Sequence, residues 1–197
     1  MHRLPLLTCC LLLALPALAE DTGPKINFDD SAANLEGWSA VYRSGDMAGG
    51  GSGFSYKKAT AWETPFKISL VREGAASDPA CLAWEFTEAC ERAQLRAPQA
   101  QVPEGTLTVR ITAKIQAPDE VGAGSISVHT YGKDGKWVHP ASPGARGKTE
   151  PGAEWQEVVA EQVNSGDLGT VAFALEFNEV TAAGKVLVDD ISYEFIR

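Results

Sequence analysis

Basic residues are in short supply in this 197-residue chain: 17 Lys+Arg stand against 26 Asp+Glu, a formal net charge of −9. Phosphate backbones and anionic lipid surfaces are bound through a basic stripe. None is visible, so neither nucleic acid nor a membrane surface is expected as a partner. Histidine is limited to three residues, and no His-Glu-x-x-His, Gly-x-Ser-x-Gly or Cys–His arrangement occurs, which removes the common metalloprotease and nucleophile signatures. The Gly-rich stretch Gly45–Gly53 has no Gly-Lys-Ser/Thr ending and opens no helix, so it is not a phosphate cradle. Beyond the first 19 residues no apolar run approaches the ~20 needed to span a bilayer. Helical periodicity is nearly absent as well: only Ala89–Ala97 repeats weakly at that spacing, enough to predict one short helical turn.

Residues 1–19 have the anatomy of a secretory signal peptide. His2 and Arg3 give a basic start, Leu4 to Leu15 an apolar run, and Ala17-Leu18-Ala19 a small-x-small cleavage site before Glu20. The predicted destination is the periplasm or the extracellular space, and residues 20–197 form one predicted domain. Cleavage removes Arg3 but no acid, so the acid surplus deepens. It also removes Cys9 and Cys10, leaving Cys81 and Cys90 for an oxidising compartment where thiols tend to pair. A Cys81–Cys90 disulfide is expected, with two buried free thiols as the alternative.

What the chain does contain is two-residue alternation. In Thr106–Gln116, Leu107, Val109, Ile111, Ala113 and Ile115 fall on one side and polar residues on the other. The same holds for Ser125–Tyr131 (Ile126 and Val128 inward) and Thr170–Asn178 (Val171, Phe173, Leu175 and Phe177 inward), and Leu82–Phe86 is similar. Further strands are predicted over Ile26–Asp29, Trp38–Arg43, Phe66–Arg72, Trp155–Val163 and Lys185–Phe195. Turn signals separate them, and Lys133-Asp134-Gly135-Lys136 is a tight hairpin. Gly45–Gly53 and Pro140–Gly152 read as long loops. The expected fold is all-β: a two-sheet β-sandwich, each sheet showing the core one face.

Asn27-Phe28-Asp29-Asp30, then Glu36-Gly37-Trp38, the internal Trp155-Gln156-Glu157, and the closing Val186-Leu187-Val188-Asp189-Asp190-Ile191-Ser192-Tyr193 occur in an order found in one family. The chain resembles the jelly-roll group of cellulose- and xylan-binding carbohydrate-binding modules, within the galactose-binding-like superfamily, over nearly all of residues 20–197. The resemblance implies a jelly roll whose first and last strands pair, with Trp38 and Trp155 filling the core. It also implies a structural Ca²⁺ held by Asp29, Asp189 and Asp190, hard carboxylate ligands whose mutual repulsion a cation would relieve. Asp29 stands where the family usually has Glu. The alternative is that one Asp of the 189–190 pair bonds backbone N–H groups while the other faces solvent.

Sugar recognition needs exposed aromatic faces and fixed hydrogen-bonding groups. Trp84 shares the parity of Leu82 and Phe86 and is assigned to the core, leaving Trp62 and Trp137, which adjoin polar, turn-like sequence. His129, Tyr131, Glu176 and Asn178 lie opposite the apolar sides of their strands and are predicted to line one polar face with those two rings. Arg110, Thr112 and Glu85 have similar parity but are candidates for the other sheet. The function expected is non-catalytic binding of a polysaccharide or oligosaccharide by a stand-alone module. Two alternatives stay open: a polysaccharide lyase using His129, Tyr131 and Arg110 for proton abstraction beside a uronate carboxylate, and a protein-interaction or structural domain on the same fold.

Overall fold

The computed structural model describes residues 20–26, 28, 35–43, 55–58, 66–77, 79–138, 146–149 and 152–197. The predicted signal peptide, Asp29, Trp62, the whole of Gly45–Gly53 and much of Pro140–Gly152 lie outside them. The described residues form an all-β sandwich of two antiparallel sheets, with fourteen strands numbered in chain order.

Sheet A runs β12 (Gln156–Val163), β8 (Thr108–Gln116), β14 (Gly184–Ile196), β5 (Cys81–Phe86), β4 (Phe66–Val71), and β1 (Glu20–Ile26) pairs with β14. The first and last strands therefore pair, as the jelly-roll resemblance implies. β5 and β1 share one edge of β14 end to end, β5 against Gly184–Val188 and β1 against Ile191–Ile196. Between those two stretches β14 bulges at Asp189-Asp190, where its register against β8 shifts and Asp190 takes a φ of 48°. A positive φ at a residue other than glycine is uncommon, and a bulge is one place where it is found.

Sheet B runs β10 (Trp137–Val138), β9 (Gly124–Gly132), β13 (Leu168–Phe177), β6 (Arg92–Arg96), β2 (Ser39–Arg43), β3 (Ser55–Lys58). β11 (Arg146–Thr149) also pairs with β9, and β7 (Ala100–Gln101) continues β6 along β13. The Lys133–Lys136 hairpin forms as predicted, with Gly135 at φ 75°, a conformation glycine adopts without penalty.

The inward sides of both sheets close one core. Val109, Ile111, Ala113 and Ile115 of β8 face Ile126 and Val128 of β9 and Val171, Phe173, Leu175 and Phe177 of β13, all fully buried. Trp84 packs with Phe66, Phe86 and Phe177 in an aromatic cluster, its ring centroid 4.6 to 6.1 Å from theirs. Tyr193 of β14 reaches across the sandwich. Between β6 and β7 the N–H of Phe173 has no strand partner, and it donates to the Tyr193 hydroxyl at 2.9 Å. Burial pushes that phenol up to about 12.

Several expectations are corrected. Ala89–Ala97 holds no helical turn but strand β6. Alanines at 89, 93 and 97 mimic a helical stripe, while the five-residue window equally fits Ala93 and Leu95 inward with Arg92, Gln94 and Arg96 outward. Leu107 precedes β8 and is exposed, not core. Trp38 joins the core beside Phe28, but Trp155 lies on the outer side of sheet A, against the small cluster of Cys81, Ala83 and Leu187, with its indole N–H donating to Gly74 O at 3.0 Å. Cys81 and Cys90 are both free thiols. The extended β5 alone sets Cys81 roughly 16 Å from Phe86, and Cys81 faces the outer cluster while Cys90 packs against the sandwich core. A disulfide needs Cα atoms within about 7 Å. Burial pushes each thiol up to about 11.

Candidate functional site

The outer side of sheet B differs from a solvated strand face. On β13 the outward residues alternate with the core set: Ala172, Ala174 and Glu176, the two alanines fully buried and Glu176 only 5% exposed. The alanines lie low between taller neighbours, since register sets Ala174 between Arg96 and Ser127 and Ala172 beside His129. His129, Ser127 and Gln94 are buried too, although none belongs to the core.

Glu176 is the hub of this face. Its Oε1 accepts from Gln94 Nε2 at 2.7 Å, His129 Nε2 at 2.8 Å and Ser127 Oγ at 3.2 Å, and its Oε2 accepts from Arg92 Nη2 at 3.1 Å. An ionised carboxylate only accepts, so His129 carries its proton on Nε2. Burial alone would raise the Glu176 carboxyl. The hydrogen bond and charge of His129, with the charge of Arg92, outweigh it and bring the group from 4.5 down to about 2.

From the hub the network runs sideways. Gln94 turns its Oε1 to Arg96, accepting from Nε at 3.0 Å and Nη2 at 2.6 Å, and Arg96 Nη1 donates to the Tyr131 hydroxyl at 3.3 Å. Tyr131 stands directly opposite Trp137 in the β9–β10 pair, and Trp137 is 50% exposed. The result is one line of side chains across four strands: a fixed carboxylate, an amide, a guanidinium, a phenol and an exposed indole. Few of these groups need reordering when a ligand arrives, which lowers the entropic cost of binding.

Of the residues predicted for this face, His129, Tyr131, Glu176 and Trp137 are brought together. Asn178 is not: β13 ends at Phe177, and Asn178 is exposed in the following turn. Trp62 lies outside the described residues. Arg110, Thr112 and Glu85 belong to sheet A, where Arg110 pairs with Glu161 at 2.6 Å and Glu194 at 2.8 Å. Arg92, Gln94, Arg96 and Ser127 were missed as site residues. For the first three the alternation Arg-Ala-Gln-Leu-Arg was the available signal. For Ser127 the signal was its parity, which it shares with His129 and Tyr131 on β9.

The acids at the other end of the fold have their own partners. Asp189, fully buried, accepts from the N–H groups of Ala76 at 3.0 Å and Ser77 at 3.2 Å, and its other oxygen takes the Asp190 N–H at 2.9 Å. Asp190 accepts from Ser77 Oγ at 2.6 Å and pairs with Lys114 Nζ at 2.7 Å. Burial pushes the Asp189 carboxyl up. For Asp190, Lys114 and Ser77 outweigh burial and hold it below the usual range. Asp189 thus ties Ala76 and Ser77 to the bulge, while an ammonium already balances Asp190. A cation bound there would have to displace Lys114 from Asp190. Among the described residues no three His, Cys, Asp or Glu are grouped closely enough to hold a metal, and Asp29 lies outside them.

No protein-family model and no curated protein sequence matches the chain. Solved structures do resemble it. The CBM22-1 xylan-binding domain from Paenibacillus barcinonensis Xyn10C superposes with a TM-score of 0.58 at 12% identity, covering 92% of this chain and 98% of that one. The CBM22-1–GH10 modules of Clostridium thermocellum endo-1,4-β-D-xylanase 10B, complexed with xylohexaose, give 0.57 at 9% identity, covering 90% of this chain and 29% of that one. The enzymatically active domain of bacteriophage CBA120 tailspike protein 4 gives 0.57 at 8% identity, over 83% of this chain and 20% of that one. The chain thus spans a fifth of the tailspike chain and nearly all of the Paenibacillus domain. At these identities what is shared is the fold, an all-β jelly-roll sandwich of the kind carbohydrate-binding modules use.

Proposed function

We propose that the chain is an exported, non-catalytic carbohydrate-binding module of the galactose-binding-like kind, and that it holds a polysaccharide along the outer face of sheet B. The observation that carries this reading is Trp137 standing opposite Tyr131 at the end of the Glu176–Gln94–Arg96 line. An exposed indole offers an apolar surface to the C–H face of a pyranose. The immobilised amide, guanidinium and phenol offer donors and acceptors to its hydroxyls. The partial exposure of Trp137 makes its removal a clean test. Trp137→Ala should weaken retention in polysaccharide-containing gels at least tenfold, about 1.4 kcal/mol, with an unchanged melting temperature. Equal retention of variant and parent on every bound polysaccharide refutes the assignment.

A lyase reading has one favouring observation, the Tyr131 hydroxyl beside Arg96, residue types suited to proton abstraction next to a neutralised carboxylate. The position of His129 works against it, because its Nε2 is already committed to Glu176. Appearance of unsaturated product from a uronate polymer would decide for the enzyme.

A further inference from the structure

One outward row of sheet B is built from side chains that carry no charge. Trp137 of β10 lies opposite Tyr131 of β9, Tyr131 opposite Thr170 of β13, and Thr170 opposite Gln101 of β7. Three strand spacings of ~4.8 Å set the ends of this row about 14 Å apart. Its β7 end exists because the chain changes parity after β6. Ala97 and Ala100 both join the core, so the outward positions move from Arg92, Gln94 and Arg96 to Gln99 and Gln101. Gln99 and Gln101 are exposed, and Thr170 is half-buried between the strands that flank it. The Thr170 hydroxyl donates to Gln99 Oε1 at 2.8 Å, which sets the plane of that amide. Among the described residues no hydrogen bond uses the Gln99 NH₂ or the side chain of Gln101.

We infer that Gln99, Thr170 and Gln101 form a second contact station for the ligand of this face, an uncharged polysaccharide that must reach from Trp137 to β7 for full affinity. The inference rests on the carbohydrate-binding reading above and deepens it. A primary amide presents donors and an acceptor in one plane, a pattern that meets neighbouring hydroxyls of a pyranose. Taking an amide or a hydroxyl out of water costs far less than desolvating a charge, so this row recognises hydroxyls without giving up a hydrated ion. The row across sheet A through Glu161, Arg110 and Glu194 instead saturates itself with ion pairs. One strand spacing is close to the length that one pyranose adds to a chain, so the row accommodates about three consecutive sugars. Trp137 stacks on one of them, and the two glutamines read the hydroxyls of another further along.

The test compares the mature protein with Gln101→Ala and Thr170→Val by retention in gels containing arabinoxylan, hydroxyethylcellulose, galactomannan or polygalacturonate. One of the three neutral polymers should hold the parent most tightly. Each variant should weaken that retention about fivefold, as the loss of one hydrogen bond to a ligand does, with the melting temperature of the parent. Titration with oligosaccharides of the retained polymer adds a readout that a merely structural role would not move. The parent should bind the hexasaccharide at least tenfold more tightly than the disaccharide, and Gln101→Ala should shrink that ratio. The length comparison in the parent stands even where a variant fails to fold. Parent-like retention by both variants, or equal affinity of the parent for hexasaccharide and disaccharide, overturns the second station and leaves the carbohydrate reading standing. Tightest retention by polygalacturonate overturns the uncharged assignment and likewise leaves that reading in place. No retention by any of the four polymers overturns both.

Discussion

Replacing Glu176 with Gln probes the hub of the candidate site while keeping its shape. The four donors that meet the carboxylate cannot all be served by an amide. With its NH₂ toward the Oε2 position, Gln presents a donor to Arg92; turned the other way, it presents one to Gln94, Ser127 and His129. Two routes give the magnitude. The depression of the carboxyl from 4.5 to about 2 corresponds to about 3 kcal/mol of preferential binding of the ionised form. Breaking a buried ion pair by removing one partner costs about 3–5 kcal/mol. A loss of about 3 kcal/mol predicts a melting temperature lower by about 6–12 °C for a chain of this size.

The pH dependence supplies a second signature. Because the folded-state value is depressed, the stabilisation is fully present above 4.5 and is lost as pH falls toward about 2. Urea unfolding of parent and Glu176→Gln from pH 7 down to pH 2 should give two curves that converge across that window. If the variant lies within about 0.5 kcal/mol of the parent at pH 7, or the gap between them does not change with pH, the hub is not stabilising and the reasoning fails.

Other expectations concern the remainder of the molecule. Thiol titration should find Cys81 and Cys90 both free in denaturant and slow to react in the native protein at pH 8, since burial pushes each up to about 11; an absence of free thiols would show a bridge. Asp189→Asn leaves at least one of the N–H groups of Ala76, Ser77 and Asp190 poorly served and should cost about 1–3 kcal/mol in urea unfolding. A chelator should leave the melting temperature of the parent unchanged, because Lys114 already balances Asp190. A fall on chelation that added Ca²⁺ reverses would mean that the ion displaces Lys114, and would restore the ligand set of Asp29, Asp189 and Asp190.

Much of the sandwich was legible from two-residue periodicity. In β8, β9 and β13 the alternation is long enough to assign nearly every inward residue, because a half-buried strand must alternate to keep one face dry. That same alternation put His129, Tyr131 and Glu176 on outward sides. It failed where elements are short: β6 has five residues, too few to separate a period of two from one of 3.6. With β6 went Arg92, Gln94 and Arg96, and with them most of the network. Trp155 shows a different limit. Its motif position suggested core, but a strand can bury its aromatic residue on either surface, and here the Cys81–Ala83–Leu187 cluster gives it an apolar seat outside the sandwich.

The sequence by itself determined the class of fold, the long strands, the membership of most of the core and the polarity of each strand face, all of which depend on neighbours along the chain. Which strands lie side by side was decided only in three dimensions. Pairing of β6 and β9 with opposite edges of β13 brings Arg92, Gln94, Ser127 and His129 to one carboxylate from segments up to 84 residues apart in the chain. It also leaves Asn178 outside the sheet and turns Asp189 and Asp190 toward Ser77 and Lys114. The physical reason is that burial and charge compensation act through space. Local pattern says which way a side chain points, and only the packed sheets say what it meets there.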